Sequence, residues 1–283
     1  MVPISGKTRV LALIGHPVSH SLSPAMHNAA FAADGLDFVY VCLDVHPNRL
    51  PEAVRGMAAL SFRGFNITMP HKQALVDLVD DLDDAARVSG AVNTVVIDPD
   101  SGKLTGYNTD GGGMVLACEE AGIELSGKSV LLLGAGGAAA AVALAFAEAG
   151  IGELHLANRS LENAGKLKEK LSGVGILSVE THALDDLDAS AFGADVIVNT
   201  TPLGMKEGDA LPLPEGCLRE GVAVCDAVYR PGFETPLVRL ARERGVPVVA
   251  GNRMLLYQGV LAQSLWTGGE PNVAVMDRAL SAR

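Results

Sequence analysis

The chain has 283 residues, of which 48% are hydrophobic and 19% charged, a balance typical of a folded globular protein rather than a disordered one. At about 150 residues per domain, this length corresponds to one large domain or two. The formal net charge of −11 argues against bulk affinity for nucleic acid or for anionic membranes, since both are polyanions.

The cysteines and the apolar segments indicate a cytoplasmic protein. The four cysteines form no CxxC pair and show no metal-ligand spacing, so we interpret them as buried thiols of a reducing compartment. We expect no secretory signal, because the apolar run at residues 10–14 is short and is followed by Gly15 and Pro17. Residues 129–147 carry no charge, but their glycines would break a membrane-spanning helix. A buried strand that runs into an Ala-rich helix is favoured there.

Short runs rich in Val, Leu and Ile alternate with Ala-rich helical stretches along the chain. This pattern predicts an α/β protein in which helices cover mainly parallel sheets. In the first helix, Ser23 is the predicted N-cap, Pro24 the first helical residue and Gly35 the stop signal. The predicted strands lie at residues 10–14, 39–43, 64–69, 130–133, 154–157, 196–199, 222–226 and 246–250.

A second series of strands and helices begins at Val130, which predicts a domain boundary near residues 108–113. The last predicted helix starts near Met254 and carries the polar Gln258 and Gln263 within an apolar pattern. This pattern alone leaves open whether the C-terminal segment packs on the first domain.

A strand, a Gly-x-Gly-x-x-Ala turn and an Ala-rich helix follow one another from Val130. Gly134 permits the tight turn, Gly136 lets the backbone approach a pyrophosphate, and Ala139 allows close helix–strand packing. The N-terminus of the helix offers free N–H groups to the anion. The segment therefore predicts a dinucleotide site, with a purely structural turn as the alternative.

Asn158 and Arg159 end the next predicted strand, about twenty residues further on, where NAD enzymes place an acid for the ribose hydroxyl. A guanidinium binds a 2′-phosphate in bidentate fashion, whereas a carboxylate would repel it. Arg159 therefore favours NADP over NAD, and an ordinary surface arginine is the alternative reading.

Polar residues cluster in the first half of the chain where an ordinary loop would not need them. Ser21 and Ser23 are spaced so that an extended backbone would point both hydroxyls the same way, at a helix N-terminus suited to a carboxylate. Asn66 and Thr68 alternate in the same manner at the end of a strand, and Lys72 follows within reach.

Asn93, Asn108 and Asp110 add amide and carboxylate groups suited to a polyhydroxylated ligand. A ketone reductase needs a donor that stabilises the developing alkoxide, and Lys72 can do this and then give up a proton. Asp110 would orient the ammonium group. No metal is required, and His16 and His20 lack the helix and the glutamate of a zinc motif.

Together these residues identify a family, because the chain resembles the shikimate dehydrogenases along nearly its whole length. The matching segments include Asn66-Ile-Thr-Met-Pro-His-Lys72, Asn108-Thr-Asp-Gly111 and Asn199-Thr-Thr-Pro-Leu-Gly-Met205. The other matching segments are residues 15–24, 90–94, 134–137, 158–160, 226–229 and 254–258.

The resemblance implies reversible, NADPH-linked reduction of 3-dehydroshikimate to shikimate in aromatic amino-acid biosynthesis. Lys72 and Asp110 are implied as the catalytic pair. The residues implied to bind the small-molecule substrate are Ser21, Ser23, Thr68, Asn93, Tyr229 and Gln258. The residues implied to bind the cofactor are Gly134, Ala135, Gly136, Gly137, Ala138, Asn158, Arg159, Ser160, Asn163, Ala227 and Gly251.

The resemblance also implies a discontinuous substrate-binding and catalytic domain, residues 1–109 and 250–283, and a Rossmann-type NADP-binding domain, residues 110–249. A homodimer is the family's common habit. NADP-preferring members often carry a second basic residue at the position of Asn163, so the preference for NADP is expected to be weaker here.

Two rival functions remain at this stage. One is a quinate/shikimate dehydrogenase that uses NAD, against which Arg159 and the Ser-x-Ser pair argue. The other is a non-catalytic nucleotide-binding regulator, which would have no need of both Lys72 and Asp110.

Overall fold

The structure is a computed structural model that describes residues 4–172, 178–188 and 190–282. The described part contains the following strands and α-helices, in chain order: β1 (Arg9–Gly15), α1 (Ser23–Ala33), β2 (Phe38–Asp44), α2 (Leu50–Ala59), β3 (Gly64–Ile67), β4 (Asp81–Leu82), α3 (Asp84–Ser89), β5 (Thr94–Ile97), β6 (Leu104–Tyr107), α4 (Asp110–Glu120), β7 (Ser129–Leu133), α5 (Gly137–Glu148), β8 (Glu153–Asn158), α6 (Leu161–Lys170), β9 (Ser178–Ala183), β10 (Val196–Asn199), β11 (Ala223–Asp226), α7 (Pro236–Glu243), β12 (Val248–Val249), α8 (Gly251–Thr267) and α9 (Val273–Ser281). None of the described helices is long and apolar enough to cross a membrane.

The chain divides into two compact units, one of residues 1–109 and 258–283 and one of residues 110–257. We call them the first and the second unit. In the first unit the sheet order is β2-β1-β3-β5-β6-β4, with β1 parallel to β2 and β3. In the second unit six parallel strands follow the order β12-β11-β10-β7-β8-β9. The predicted fold class, mainly parallel sheets with flanking helices, is confirmed.

The strands of the second unit are apolar on both faces because helices cover both sides of a parallel sheet. In β7, residues 130–133 are fully buried. The Ala-rich helix α5 packs beside this strand and has eight buried residues. The uncharged segment 129–147 is therefore a buried strand and helix, as predicted. Gly111 of α4 makes room for this helix, because a Cβ there would lie 2.1 Å from the Ala141 carbonyl oxygen.

The C-terminal half of α8 and all of α9 belong to the first unit. Trp266 of α8 is buried and donates its indole N–H to the Val95 carbonyl at 2.9 Å. Gly64 of β3 makes this possible, since a Cβ there would lie 2.4 Å from the indole nitrogen. The tail thus packs on the first sheet.

Four strands of the described part were not predicted: β4, β5, β6 and β9. β5 and β6 form an antiparallel pair, and β5 is also antiparallel to β3, so the first sheet is mixed. The polar residues Asn93 and Thr94 at the start of β5 obscure the apolar run that follows them. β9 lacks an apolar run because it is an edge strand.

Candidate active site

The predicted phosphate-binding turn lies at the carboxyl end of β7, the central strand of the second unit. Gly134 has φ = +112°, and a Cβ there would lie 2.6 Å from Thr200 Oγ1. That hydroxyl is itself fixed, because it donates to the Leu133 carbonyl at 2.7 Å. Only glycine meets both the backbone conformation and the contact.

Gly136 has a different role in the same turn. Its φ of −87° suits any residue, and a Cβ there would meet nothing within 4 Å. It is the N-cap of α5, and no side chain in the described part of the chain caps the first N–H groups of this helix. An open approach to an uncapped helix N-terminus fits a pyrophosphate group. Ala135, Gly137 and Ala138 complete the turn.

β8 ends at Asn158, beside this turn, because β7 and β8 are parallel neighbours. The loops that follow parallel strands lie together at the same edge of the sheet. Asn158 Nδ2 donates to the Ser160 carbonyl at 3.0 Å, and the Ser160 hydroxyl caps α6 by accepting the Asn163 N–H at 3.3 Å. Arg159 lies exposed between them, and among the described residues it makes no hydrogen bond or ion pair. The capping shapes the loop and leaves the guanidinium available to an anion.

A buried hydrogen-bond network closes the ends of β10 and β11. Asp226 Oδ1 accepts from Asn199 Nδ2 at 2.9 Å and from the Val228 N–H at 3.0 Å. Asp226 Oδ2 accepts the Thr235 hydroxyl at 2.6 Å, while the Ala227 N–H donates to the Asn199 carbonyl at 2.8 Å. Burial raises the pKa of Asp226, and the three donors oppose that shift. The network fixes the backbone on both sides of Ala227.

Gly251, the first residue of α8, packs against this segment. A Cβ at Gly251 would lie 2.2 Å from the Val228 carbonyl oxygen and 3.1 Å from Tyr229 Cβ. The structure therefore brings together Ala227, Tyr229 and Gly251, which are predicted separately from the sequence. Tyr229 is half-buried, and burial raises the pKa of its phenol.

In the first unit, the predicted cap of α1 is wrong. Leu22 is the N-cap, with helical angles φ = −92° and ψ = −6°, and Ser23 is already the first helical residue. The extended backbone assumed between the two serines is therefore absent. Instead, Ser21 Oγ accepts the Ser23 N–H at 3.2 Å. Ser23 lies beside Tyr40, whose phenol pKa is raised well above its usual value by burial while the Ser23 hydroxyl opposes the shift.

From Tyr40 a chain of buried hydrogen bonds runs across the first sheet. The Tyr40 hydroxyl donates to Asn66 Oδ1 at 2.7 Å. Asn66 Nδ2 donates to the Asn93 carbonyl at 3.1 Å and to Thr94 Oγ1 at 3.0 Å, and Thr94 in turn donates to Asn93 Oδ1 at 2.9 Å. Both amide protons of Asn66 are used within the protein, so Asn66 serves the buried network.

The same series of hydrogen bonds continues to α8, which carries Gln258. Thr109 is bound to the amide of Asn93 and donates its hydroxyl to the Gln258 backbone carbonyl at 3.1 Å. Asn108 Nδ2 donates to Ser89 Oγ at 3.1 Å and to the Ala91 carbonyl at 2.9 Å. Thr109 therefore links two of the predicted substrate-binding residues, the side chain of Asn93 and the backbone carbonyl of Gln258.

The segment that carries Lys72 is anchored on both sides. The His71 ring, which is buried, donates from Nε2 to the Val45 carbonyl at 2.7 Å, and the His71 N–H donates to the Thr68 carbonyl at 3.0 Å. The Lys72 carbonyl accepts the Val92 N–H at 2.8 Å, next to Asn93. The Lys72 backbone therefore has a fixed position beside the buried network, at the carboxyl end of β3.

Lys72 belongs to the first unit, and Asp110 begins the second as the first residue of α4. The pairing of these two side chains stays a prediction. The sequence analysis did not single out three residues of the supporting hydrogen bonds: Tyr40, His71 and Thr109. The sequence offers one indication of their role. Tyr40 is a polar aromatic residue within an apolar strand, and His71 and Thr109 are polar residues in loops.

A parallel six-stranded sheet whose central strand opens into an uncapped helix is the architecture of dinucleotide-dependent dehydrogenases. With an arginine after the second strand of that sheet, the class is an NADP-dependent oxidoreductase. Comparison with known proteins identifies the family. A model described as shikimate dehydrogenase substrate binding domain matches residues 13–95, one described as shikimate/quinate 5-dehydrogenase matches residues 116–203, and one described as shikimate 5′-dehydrogenase C-terminal domain matches residues 251–280.

The chain belongs to the shikimate dehydrogenase family. It is 60% identical to a shikimate dehydrogenase (NADP(+)) of Rubrobacter xylanophilus over 98% of this chain and 97% of that protein. A Thermus thermophilus shikimate 5-dehydrogenase solved with NADP(H) and shikimate is 38% identical, with a TM-score of 0.87 over 97% of this chain and 99% of that one. A Corynebacterium glutamicum quinate dehydrogenase solved with NAD is 35% identical, with a TM-score of 0.89 over 98% of this chain and 99% of that one.

Proposed function

We propose that this chain catalyses the reversible, NADPH-dependent reduction of 3-dehydroshikimate to shikimate, a step of aromatic amino-acid biosynthesis. The observation that carries the mechanism is the doubly anchored Lys72 beside the buried network that ends at Thr109. A lysine fixed in this way can present its ammonium group to one oxygen atom of a bound substrate. That is the requirement for protonating an alkoxide as it forms.

The second unit supplies the residues for the cofactor. The N–H groups at the start of α5 would bind the pyrophosphate, and Arg159 would bind the 2′-phosphate. Ala227 and Gly251 would lie at the nicotinamide end. NADPH, when bound, supplies the hydride that reduces the carbonyl carbon.

Lys72 Nζ then donates a proton to the carbonyl oxygen, and Asp110 holds the ammonium group in place. In the direction of oxidation, the same nitrogen accepts the proton of the alcohol. The Ser21 and Ser23 hydroxyls would bind the carboxylate, while Thr68, Asn93, Gln258 and Tyr229 would contact the ring.

The domain roles and the oligomer belong to the same proposal. Residues 1–109 with 250–283 would bind substrate, and residues 110–249 would bind NADP. A second copy of the chain would complete a homodimer, as is common in the family.

Quinate oxidation with NAD is the second candidate, since a quinate dehydrogenase solved with NAD shares the fold at 35% identity. Arg159 argues against it, because an arginine at the end of β8 favours the additional phosphate of NADP. Asn163 on α6 carries no positive charge, so its position supplies no second cation beside Arg159. The expected preference for NADP over NAD is therefore weaker.

Initial rates with shikimate or quinate, each with NADP⁺ or NAD⁺, test the proposal. Turnover largely confined to shikimate with NADP⁺ supports it. Comparable rates with quinate or with NAD⁺ would make the chain a quinate/shikimate dehydrogenase, and binding of nucleotide without any turnover would make it a regulator.

A further inference from the structure

Three side chains of metal-ligand type meet at the edge of the second sheet, on strands β8 and β9. The parallel register sets His155 opposite Glu180 and Ala157 opposite His182. Because alternate residues of a strand share a face, His155, Glu180 and His182 all project from the same face of the sheet. The sequence predicted no metal site, and it could not show this group, since the two histidines are 27 residues apart.

The ligand atoms of these side chains converge. His155 Nδ1 lies 3.1 Å from His182 Nε2, and Glu180 Oε2 lies 3.8 Å from each of these nitrogens. Phe192 covers the group, with its ring stacked on that of His182 at a centroid distance of 3.8 Å. The histidine side chains are mostly buried, while the Glu180 side chain is 60% exposed and leaves one side open to solvent.

The hydrogen bond between the His155 and His182 rings leaves the other nitrogen of His155 unsatisfied. His155 Nε2 is buried and has no hydrogen-bond partner in the described part of the chain. The nearest carboxylate oxygen, from Glu153, lies 3.9 Å away. A cation on Nδ1 would fix the ring proton on Nε2, where it faces Glu153, as in the histidine–carboxylate pairs that support metal ligands.

We propose that His155 Nδ1, His182 Nε2 and the Glu180 carboxylate bind one divalent transition-metal ion of the zinc class. Two imidazole nitrogens and one carboxylate oxygen suit zinc, whereas calcium and magnesium prefer oxygen ligands throughout. Zinc–nitrogen bonds of about 2.0–2.1 Å in a tetrahedral site place neighbouring ligand atoms about 3.3 Å apart, and the observed separations of 3.1 and 3.8 Å bracket that value.

A bound ion would join the edge strand β9 to β8 by metal–ligand bonds, in addition to the backbone hydrogen bonds between the strands. This site is separate from the residues proposed for hydride transfer and does not depend on that proposal.

The test is titration of the metal-free full-length protein with Co²⁺, which gives visible absorption bands in a tetrahedral site, followed by displacement with Zn²⁺. We expect one ion per chain. His182→Gln and Glu180→Gln should each weaken binding by roughly tenfold or more. His46→Gln, a change of an exposed histidine in the first unit, should leave binding unchanged. Zn²⁺ should also raise the melting temperature of the natural protein and not that of the two ligand variants.

Absence of a tetrahedral Co²⁺ spectrum would overturn the proposal, as would unchanged binding in the two ligand variants or equal binding of Mg²⁺. Glu180→Gln alters an exposed side chain, so it keeps the test valid even if His182→Gln fails to fold. Binding of NADP⁺ by each variant confirms that the second unit is intact.

Discussion

Asn93 holds Thr109 through two hydrogen bonds: Asn93 Oδ1 accepts the Thr109 backbone N–H at 2.9 Å, and Asn93 Nδ2 donates to Thr109 Oγ1 at 3.0 Å. Thr109 is the residue immediately before Asp110. The amide of Asn93 therefore fixes the backbone that leads into the proposed catalytic carboxylate, in addition to its proposed contact with substrate.

Replacement of Asn93 by alanine leaves the buried Thr109 N–H without this acceptor. We expect Asn93→Ala to lower the free energy of unfolding by about 1–3 kcal/mol, the usual cost of an unsatisfied buried group. Urea denaturation measures this loss. Asn48→Ala, a change of an exposed asparagine, is the control and should be nearly neutral. Equal stability of both variants would contradict the structural role of the amide.

The two glycines of the phosphate turn should respond differently to alanine. Gly136→Ala places a methyl group in open space at an ordinary φ, so stability should change by less than about 0.5 kcal/mol. The same methyl group lies where a pyrophosphate would approach, so NADP⁺ affinity should fall on the order of tenfold.

Gly134→Ala should instead destabilise the fold, because φ is +112° and the methyl group meets Thr200 Oγ1 at 2.6 Å. Strain of this kind costs about 1–3 kcal/mol. Thermal denaturation and NADP⁺ titration of both variants separate the two effects. Unimpaired NADP⁺ binding by a folded Gly136→Ala variant would argue against a pyrophosphate at this helix.

Arg159 should select the cofactor. Arg159→Ala removes the proposed partner of the 2′-phosphate, so kcat/KM for NADP⁺ should fall roughly tenfold or more while that for NAD⁺ stays nearly constant, since charge-assisted bonds are worth about 1.5–3 kcal/mol. Lys168→Ala on the exposed face of α6 is a matched loss of charge. A parallel fall with both cofactors would show that Arg159 supports the loop rather than selecting NADP.

Much of the second unit is predictable from sequence because local rules decide it. The glycines of the phosphate turn, the apolar strands and the Ala-rich helix each follow from their own segment. The supporting bonds of the first unit are different. Tyr40, Asn66 and Thr109 are far apart in sequence, and only folding links them, through Asn93, by hydrogen bonds.

The start of α1 shows the limit of a local rule. Serine followed by proline predicts an N-cap at Ser23, but the helix begins one residue earlier, with Leu22 as its cap. Ser23 is buried beside Tyr40, and this tertiary contact outweighs the capping preference of its side chain.

Arg253 of α8 forms an ion pair with Glu120 of α4 within the second unit. Hydrogen bonding to Arg253 lowers the pKa of Glu120 below its ordinary value of 4.5. The folded state therefore gains stability from this group above that value and loses it as the pH falls through the lowered pKa. Because Glu120 is partly exposed, the gain should be at most about 1 kcal/mol.

Urea denaturation of the natural protein and of Glu120→Gln across acidic and neutral pH checks this sign. The natural protein should be more stable at neutral pH, and the difference should vanish on acidification. The exposed neighbour Glu119→Gln should show no such trend. A stability difference that persists unchanged in acid would contradict an electrostatic origin.

The most direct measurement is single-turnover reduction of 3-dehydroshikimate by NADPH in the natural protein and in Lys72→Ala. We expect the rate of the chemical step to fall roughly 10²–10⁴-fold, the usual effect of removing a general acid, while NADP⁺ binding is unchanged. Lys170→Ala, an exposed lysine of α6, should retain the natural rate. A Lys72→Ala variant that keeps most of its rate would contradict the role of Lys72 as the proton donor.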